Sequence, residues 1–191
     1  PEAEPEAEPQ AEPEAESEPS NINMLYIYDQ KYANSVNILK SLRDTQNYNV
    51  ILEEVNYGTS ITLENMNNYF NTLKTKVEQI HNNTPLKYIL LFGSIEEVPT
   101  LMKDGIDESN YSSNLNQIVD KAASDISYST INNNYTIIVG RLSPGDNLYG
   151  TTNELNDTEK QKNVQNQVDK IVEYEGIIDN LINNINNFDL N

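Results

Sequence analysis

Residues 87–92, Lys-Tyr-Ile-Leu-Leu-Phe, decide the fold class. Nearly every side chain in this run is apolar, so a strand built from it is buried on both faces, as strands of parallel sheets are. Gly93 closes the run with a turn signal. Two similar runs precede it. Met24-Leu25-Tyr26-Ile27-Tyr28 ends at Asp29, and Asn49-Val50-Ile51-Leu52-Glu53-Glu54-Val55 stops at Asn56-Tyr57-Gly58. The intervening stretches have helical spacing. Val36, Leu39 and Leu42 recur within residues 31–43, and Thr62 opens a helix in which Leu63, Met66, Phe70, Leu73, Val77 and Ile80 step by three or four. Strand, helix, strand, helix, strand with short links predicts a parallel sheet covered by helices, the α/β class.

Downstream of Gly93 the pattern loosens. Pro99, Gly105 and the polar stretch Ser109–Asn116 predict that residues 94–124 form a long loop with at most one short helix. Such a loop follows the C-terminal end of a parallel strand, where ligand sites of open α/β sheets collect. Tyr135-Thr136-Ile137-Ile138-Val139-Gly140 predicts a fourth strand. A final helix over about 158–189 carries the stripe Val164, Val168, Ile171, Ile178, Ile182 and Ile185. Gly176 interrupts it and, at a cost of about 1 kcal/mol in a helix interior, is a point where it can divide. The expected organisation is a disordered arm over 1–20, an α/β sheet portion over 21–150, and a loop with a C-terminal amphipathic helix over 151–191 packing on the same domain.

The chain has 191 residues, no cysteine, no tryptophan, one histidine, and 12 basic against 30 acidic residues, a net charge of −18. Eight of those acids, with five of the eight prolines, fall in PEAEPEAEPQAEPEAESEPS at 1–20, so the remainder carries 12 − 22 = −10. A Pro-Glu-Ala-Glu repeat lacks large apolar side chains and loses an amide donor at each proline, and predicts a solvated, extended arm. The acidity excludes a nucleic-acid footprint, which needs clustered Lys and Arg. No apolar run approaches the length of a membrane span. Without cysteine there is no disulfide framework, thiolate metal site or cysteine nucleophile within these residues. Thirty asparagines make the four N-x-[ST] sequons at Asn82, Asn110, Asn134 and Asn156 expected by chance.

The chemistry-bearing residues are sparse. His81 sits at the end of a helix, where an imidazolium is favoured by the macrodipole, and one histidine does not make a zinc site. Asp104, Asp107 and Glu108, in Lys-Asp-Gly-Ile-Asp-Glu-Ser at 103–109, are oxygen ligands flanking a glycine and are calcium candidates. Their spacing departs from the twelve-residue EF-hand pattern, and an exposed acidic loop is the plainer account. Calcium is the one cofactor this chain suggests. Glu96 and Glu97 form an adjacent carboxylate pair, although neighbours on a solvated backbone point apart. No nucleophile elbow, Walker loop or dinucleotide fingerprint is present.

The order of four segments carries more information than any one residue. Residues 87–99, KYILLFGSIEEVP, resemble the apolar strand, glycine and downstream proline of gingipain-type cysteine peptidases. Ser124-Asp125-Ile126-Ser127-Tyr128 is similar to that family's S-D-x-x-Y segment, and Ile137–Leu142 to its strand closed by Gly-Arg. Gln167–Glu175 resembles its helix ending in Tyr-Glu. The resemblance implies a caspase-like fold and, for the complete enzyme, histidine-assisted thiolate attack on the carbonyl of a protein or peptide substrate. It also implies that Asp125, Tyr128, Gly140 and Arg141 form a scaffold motif. A glycine after a strand permits a tight exit, Arg141 offers five donors to carbonyls or carboxylates, and Asp125 is placed to pair with it or cap a turn.

In that family the catalytic His-Gly and Cys lie beyond the segment matched by Tyr174-Glu175, so no catalytic residue carries over. The chain is therefore expected to be the N-terminal, non-catalytic portion of a gingipain-like endopeptidase. A second polypeptide or C-terminal half would complete its sheet and supply His and Cys. The competing expectation is an inactive caspase-like scaffold serving as a surface, shell or adhesion module. A receiver-like domain shares the strand–helix alternation, but the first strand ends in a single Asp29 rather than an acidic cluster. The resemblance, with the absence of an initiating Met, favours a secreted or surface-exposed protein.

Overall fold

Strands that are apolar on both faces need helices on both sides of their sheet, and the computed structural model has that arrangement. It describes residues 22–57, 61–62, 65–104, 121–132, 134–145 and 155–188. The acidic repeat over 1–20 and the calcium candidates Asp107 and Glu108 lie outside the described residues. In chain order the elements are β1 (Ile22–Asp29), a 3-10 turn (Gln30–Tyr32), α1 (Ala33–Thr45), β2 (Tyr48–Val55), α2 (Met66–Asn83) and β3 (Leu86–Phe92). They continue with β4 (Leu101–Asp104), β5 (Lys121–Ser124), a second 3-10 turn (Asp125–Ser129), β6 (Thr130–Ile131), β7 (Asn134–Tyr135), β8 (Ile138–Leu142) and α3 (Asp157–Phe188).

β1, β2, β3 and β8 form one parallel sheet in the order β2-β1-β3-β8, with Leu25 opposite Ile51 and Ile89, and Leu90 opposite Gly140. The expected α/β class, a parallel sheet flanked by helices, is what the chain adopts, and it is consistent with a caspase-like peptidase fold. Side chains alternate across the sheet as the pleat requires. Leu25, Ile27, Ile89 and Leu91 pack with Phe70, Leu73 and Val77 of α2. Tyr26, Tyr28 and Phe92 pack with Val36 and Leu39 of α1 and Val164 and Val168 of α3. The Tyr26 and Phe92 rings meet at 5.3 Å between centroids, across neighbouring strands. Leu25, Tyr26 and Ile27 are all fully buried, which places β1 at the centre of the sheet.

Four local expectations change. The fourth strand starts at Ile138, three residues later than the apolar run suggests, because the Thr136 and Ile137 amides donate instead to the Ser129 carbonyl. Residues 94–124 contain an antiparallel hairpin, Leu101 opposite Ser124 and Asp104 opposite Lys121. α2 begins at Met66 rather than Thr62, since the Thr62 carbonyl accepts turn bonds from Asn65 and Met66. α3 runs unbroken through Gly176, around which a Cβ would meet nothing within 4 Å, so no packing conflict adds to the intrinsic glycine cost. Its start is fixed by a capping box. Asn156 Oδ1 accepts from the Glu159 amide at 3.1 Å, and the Asn156 amide donates to Glu159 Oε2 at 2.9 Å.

Burial sets the expected response to truncation. Leu91 is 0% exposed in the central part of the sheet, whereas Ile138 on the edge strand is 57% exposed. Leu91→Ala should cost about 2–5 kcal/mol, and Ile138→Ala less than about 1 kcal/mol. Thermal or denaturant melts monitored by circular dichroism will show the difference, and equal midpoints for the two variants would contradict this packing.

Candidate functional site

The loop leaving the C-terminal end of β3, residues 93–99, is where an open parallel sheet places its ligand sites. Its backbone turns at Gly93, whose φ of +131° lies outside the range open to other residues. A Cβ there would also come within 2.9 Å of Glu97 Oε2 and 3.2 Å of the Tyr32 ring. The loop is held from both sides of the sheet.

On one side stands Arg141, near the end of β8, with only 11% of its side chain exposed. Its Nε and Nη2 donate to the two carboxylate oxygens of Asp125 at 2.8 and 2.7 Å. Its Nη1 donates to the carbonyls of Gly93 at 2.8 Å and Ser94 at 2.9 Å, and Nη2 to that of Val98 at 3.0 Å. All five N–H donors of the guanidinium are engaged, a fork geometry that lysine does not have. Tyr128, fully buried three residues beyond Asp125, donates its hydroxyl to the Pro99 carbonyl and sets its ring edge-on to Phe70 at 4.8 Å. Burial pushes its phenol pKa up, so the hydroxyl stays a donor. Lys74 of α2 donates to the carbonyls of Tyr128 and Thr130, tying the same segment to the helix.

On the other side Glu97, 7% exposed in its side chain, accepts from the Ser94 amide at 2.9 Å and the Tyr32 hydroxyl at 2.7 Å. Its second oxygen receives Lys31 Nζ at 2.9 Å, and Lys160 of α3 stands 3.7 Å away. Burial pushes this carboxyl up, but the Ser94 amide, the Tyr32 hydroxyl and the Lys31 ammonium outweigh it and hold the pKa below the usual glutamate value. Lys31 also reaches Asp157 at 2.7 Å, so the first turn of α3 joins the same network.

The structure thus brings Asp125, Tyr128 and Arg141 to one loop cluster. Gly140 lies inside β8 opposite Leu90 rather than at a tight exit, and the glycine that makes such an exit is Gly93. Glu96 is exposed while Glu97 is buried, so the two carboxylates do not share a site. His81 accepts from the Leu86 amide at 3.1 Å through Nδ1, in the last turn of α2. Asp104 ends β4. Among the described residues no group of three or more His, Cys, Asp or Glu side chains is placed to hold a metal ion. Nor, among them, is any helix long and apolar enough to cross a membrane. Sequence reasoning missed Tyr32, Lys31 and the buried role of Glu97. Its partners Tyr32 and Lys31 stand 65 and 66 positions away, beyond the reach of any local sequence pattern.

Two measurements probe the clamp. Arg141→Lys retains the charge but leaves buried carbonyls unpaired, and should cost about 2–4 kcal/mol in chemical denaturation. A loss below about 0.5 kcal/mol would contradict the five-bond geometry. Because Glu97 has a lowered pKa in the folded state, its contribution is present above its unfolded value of roughly 4.3 and is lost as pH falls through the folded value. The stability gap between wild type and Glu97→Gln should therefore be constant from pH 7 to about 5 and narrow below about 4.3.

A model of peptidase family C25 matches residues 17–187. No curated protein matches the sequence. A solved protease ("Structure of Protease") is similar in fold, with a TM-score of 0.54 at 12% sequence identity over 81% of this chain and 28% of that one. The chain therefore spans a little over a quarter of the length of that protease. With the family match running over nearly the whole sequence, and with the parallel sheet and its Arg141-held loop in place, the chain belongs to peptidase family C25, the gingipain family, and is related to cysteine peptidases.

Proposed function

We propose that this chain supplies the sheet scaffold and cleft-lining loops of a gingipain-like cysteine endopeptidase acting on protein or peptide substrates, and that the thiolate nucleophile and its histidine come from polypeptide outside this sequence. The observation that carries the reading is the inventory of reactive groups. There is no cysteine in 191 residues. The sole histidine accepts from the Leu86 amide at the start of β3. That position is roughly 20 Å of strand away from the loop at Gly93. A cysteine peptidase needs both groups within hydrogen-bond reach of each other.

The loop cluster suits a supporting role. Arg141 has no N–H left for a ligand, and Glu97 is surrounded by donors, so both hold backbone in place. The outer side of β8 has no partner strand among the described residues, and Ile138 there is exposed. An open strand edge is a surface on which further polypeptide can add. Asp125, Tyr128, Gly140 and Arg141 are then scaffold residues beside the cleft rather than catalytic ones.

The test compares this chain alone with the same chain co-expressed with the polypeptide encoded directly downstream of it, using casein hydrolysis with and without iodoacetamide. The chain alone should release no peptide above the buffer rate, and the assembled protein should show hydrolysis that iodoacetamide abolishes. Hydrolysis by the isolated chain, or an assembly whose activity ignores the thiol reagent, would overturn the proposal.

A further inference from the structure

At the end of the sheet opposite the Gly93 loop, the second half of α3 and the starts of three strands enclose an open groove of about 620 Å³. Met24, Tyr48 and Tyr88, from β1, β2 and β3, line it on the sheet side, and Tyr174 and Ile178 line it from α3. One end is closed by Arg43, which makes a two-bond ion pair with Glu175 at 2.5 and 2.7 Å while Gln46 donates to the same carboxylate at 2.9 Å. The pair neutralises itself, and the remaining lining charge is the carboxylate of Asp179. Asp179 is exposed and forms no ion pair with any described residue.

The aromatic lining has a chemical bias. The Arg43 guanidinium already stands over the Tyr48 ring, 5.7 Å from its centroid, so this protein seats a cation on one of the three tyrosines. Tyr88 and Tyr174 have no cation over them among the described residues, and Tyr174 is 65% exposed. Ring faces and a lone carboxylate attract a cation and repel an anion. The net charge of −18 gives the same sign at longer range. The apolar surface continues along α3, since Tyr174, Ile177, Ile178 and Ile182 fall at helical spacing, with Ile177 and Ile182 each 50% exposed. A small cation would fill only the mouth of such a surface. A polypeptide with alternating basic and apolar side chains matches both parts.

We propose that this groove docks a polypeptide segment carrying a lysine or arginine beside an apolar residue. The cation rests on Tyr88 and Tyr174 with Asp179 as its counter-charge, and the apolar neighbour lies along Ile177 and Ile178. This site is at the far end of the sheet from the loop cluster and does not depend on where the nucleophile resides.

The test is a heteronuclear NMR titration of the full chain with acetyl-Leu-Arg-Leu-Arg-Leu-amide and, separately, with acetyl-Leu-Glu-Leu-Glu-Leu-amide. The arginine peptide should shift the amides of Tyr48, Tyr88 and residues 174–179, saturate below about 1 mM, and bind more weakly as salt rises. The glutamate peptide should leave them in place. Asp179→Asn should weaken binding about fivefold and Tyr174→Ala about tenfold. Both side chains are exposed, so an unchanged circular dichroism spectrum will confirm that the fold is kept. Equal shifts from the two peptides, shifts away from the groove, wild-type affinity in both variants, or no saturation by about 5 mM would each overturn the proposal.

Discussion

The guanidinium of Arg141 satisfies three backbone carbonyls of the β3 exit loop and both oxygens of Asp125, and the rest of the cleft end depends on that set of bonds. A loop that turns its carbonyls inward loses water on those groups, and each one left unpaired costs about 1–3 kcal/mol. Among the described residues β8 is the edge strand next to β3, and the bonds tie it both to the β3 exit and to the turn at Asp125. The exit of β3, the turn at Asp125 and the end of β8 become one unit. The position of Tyr128 against Phe70, and through it the seat of α2, follows from the same anchor.

Glu97 does the complementary work from the α1 and α3 side. A carboxylate this deeply buried is stable in charged form only because an amide, a phenol and an ammonium converge on it. Those donors come from its own loop and from the turn after β1, so the charge fixes how two strand exits sit beside each other. The buried hydroxyls of Ser94 and Thr100 find no partner among the described residues, so the loop's polar contacts concentrate on Glu97 and Arg141.

Much of the scaffold was legible in sequence because the signals were local. The apolar runs at 24–28 and 87–92 and the spacing of Phe70, Leu73 and Val77 led directly to the parallel sheet and its covering helix. The errors came where apolar character and strand membership part company. Ile137 is buried, yet its amide bonds to Ser129 rather than to β3, so the run that contains it starts too early as a strand. The β4–β5 hairpin has four residues a side and no clean alternation, leaving no period to detect. For the site, Asp125 and Arg141 emerged from a family resemblance. Tyr32 and Glu97 did not emerge, since no local pattern couples residues 65 positions apart.

The placement of β1 has a consequence for how the protein is made. Among the four described strands of the sheet, the one with the most deeply buried side chains leaves the ribosome ahead of the other three, yet it lies between β2 and β3. Its Leu25, Tyr26 and Ile27 cannot be covered on the β3 side until residues 86–92 have left the ribosome, roughly 3–12 seconds later at 5–20 residues per second. During that interval the nascent chain presents an unpaired apolar strand, which suits capture by a chaperone or by another nascent copy. Translation speed over the stretch between β1 and β3 is therefore a quantity on which yield should depend.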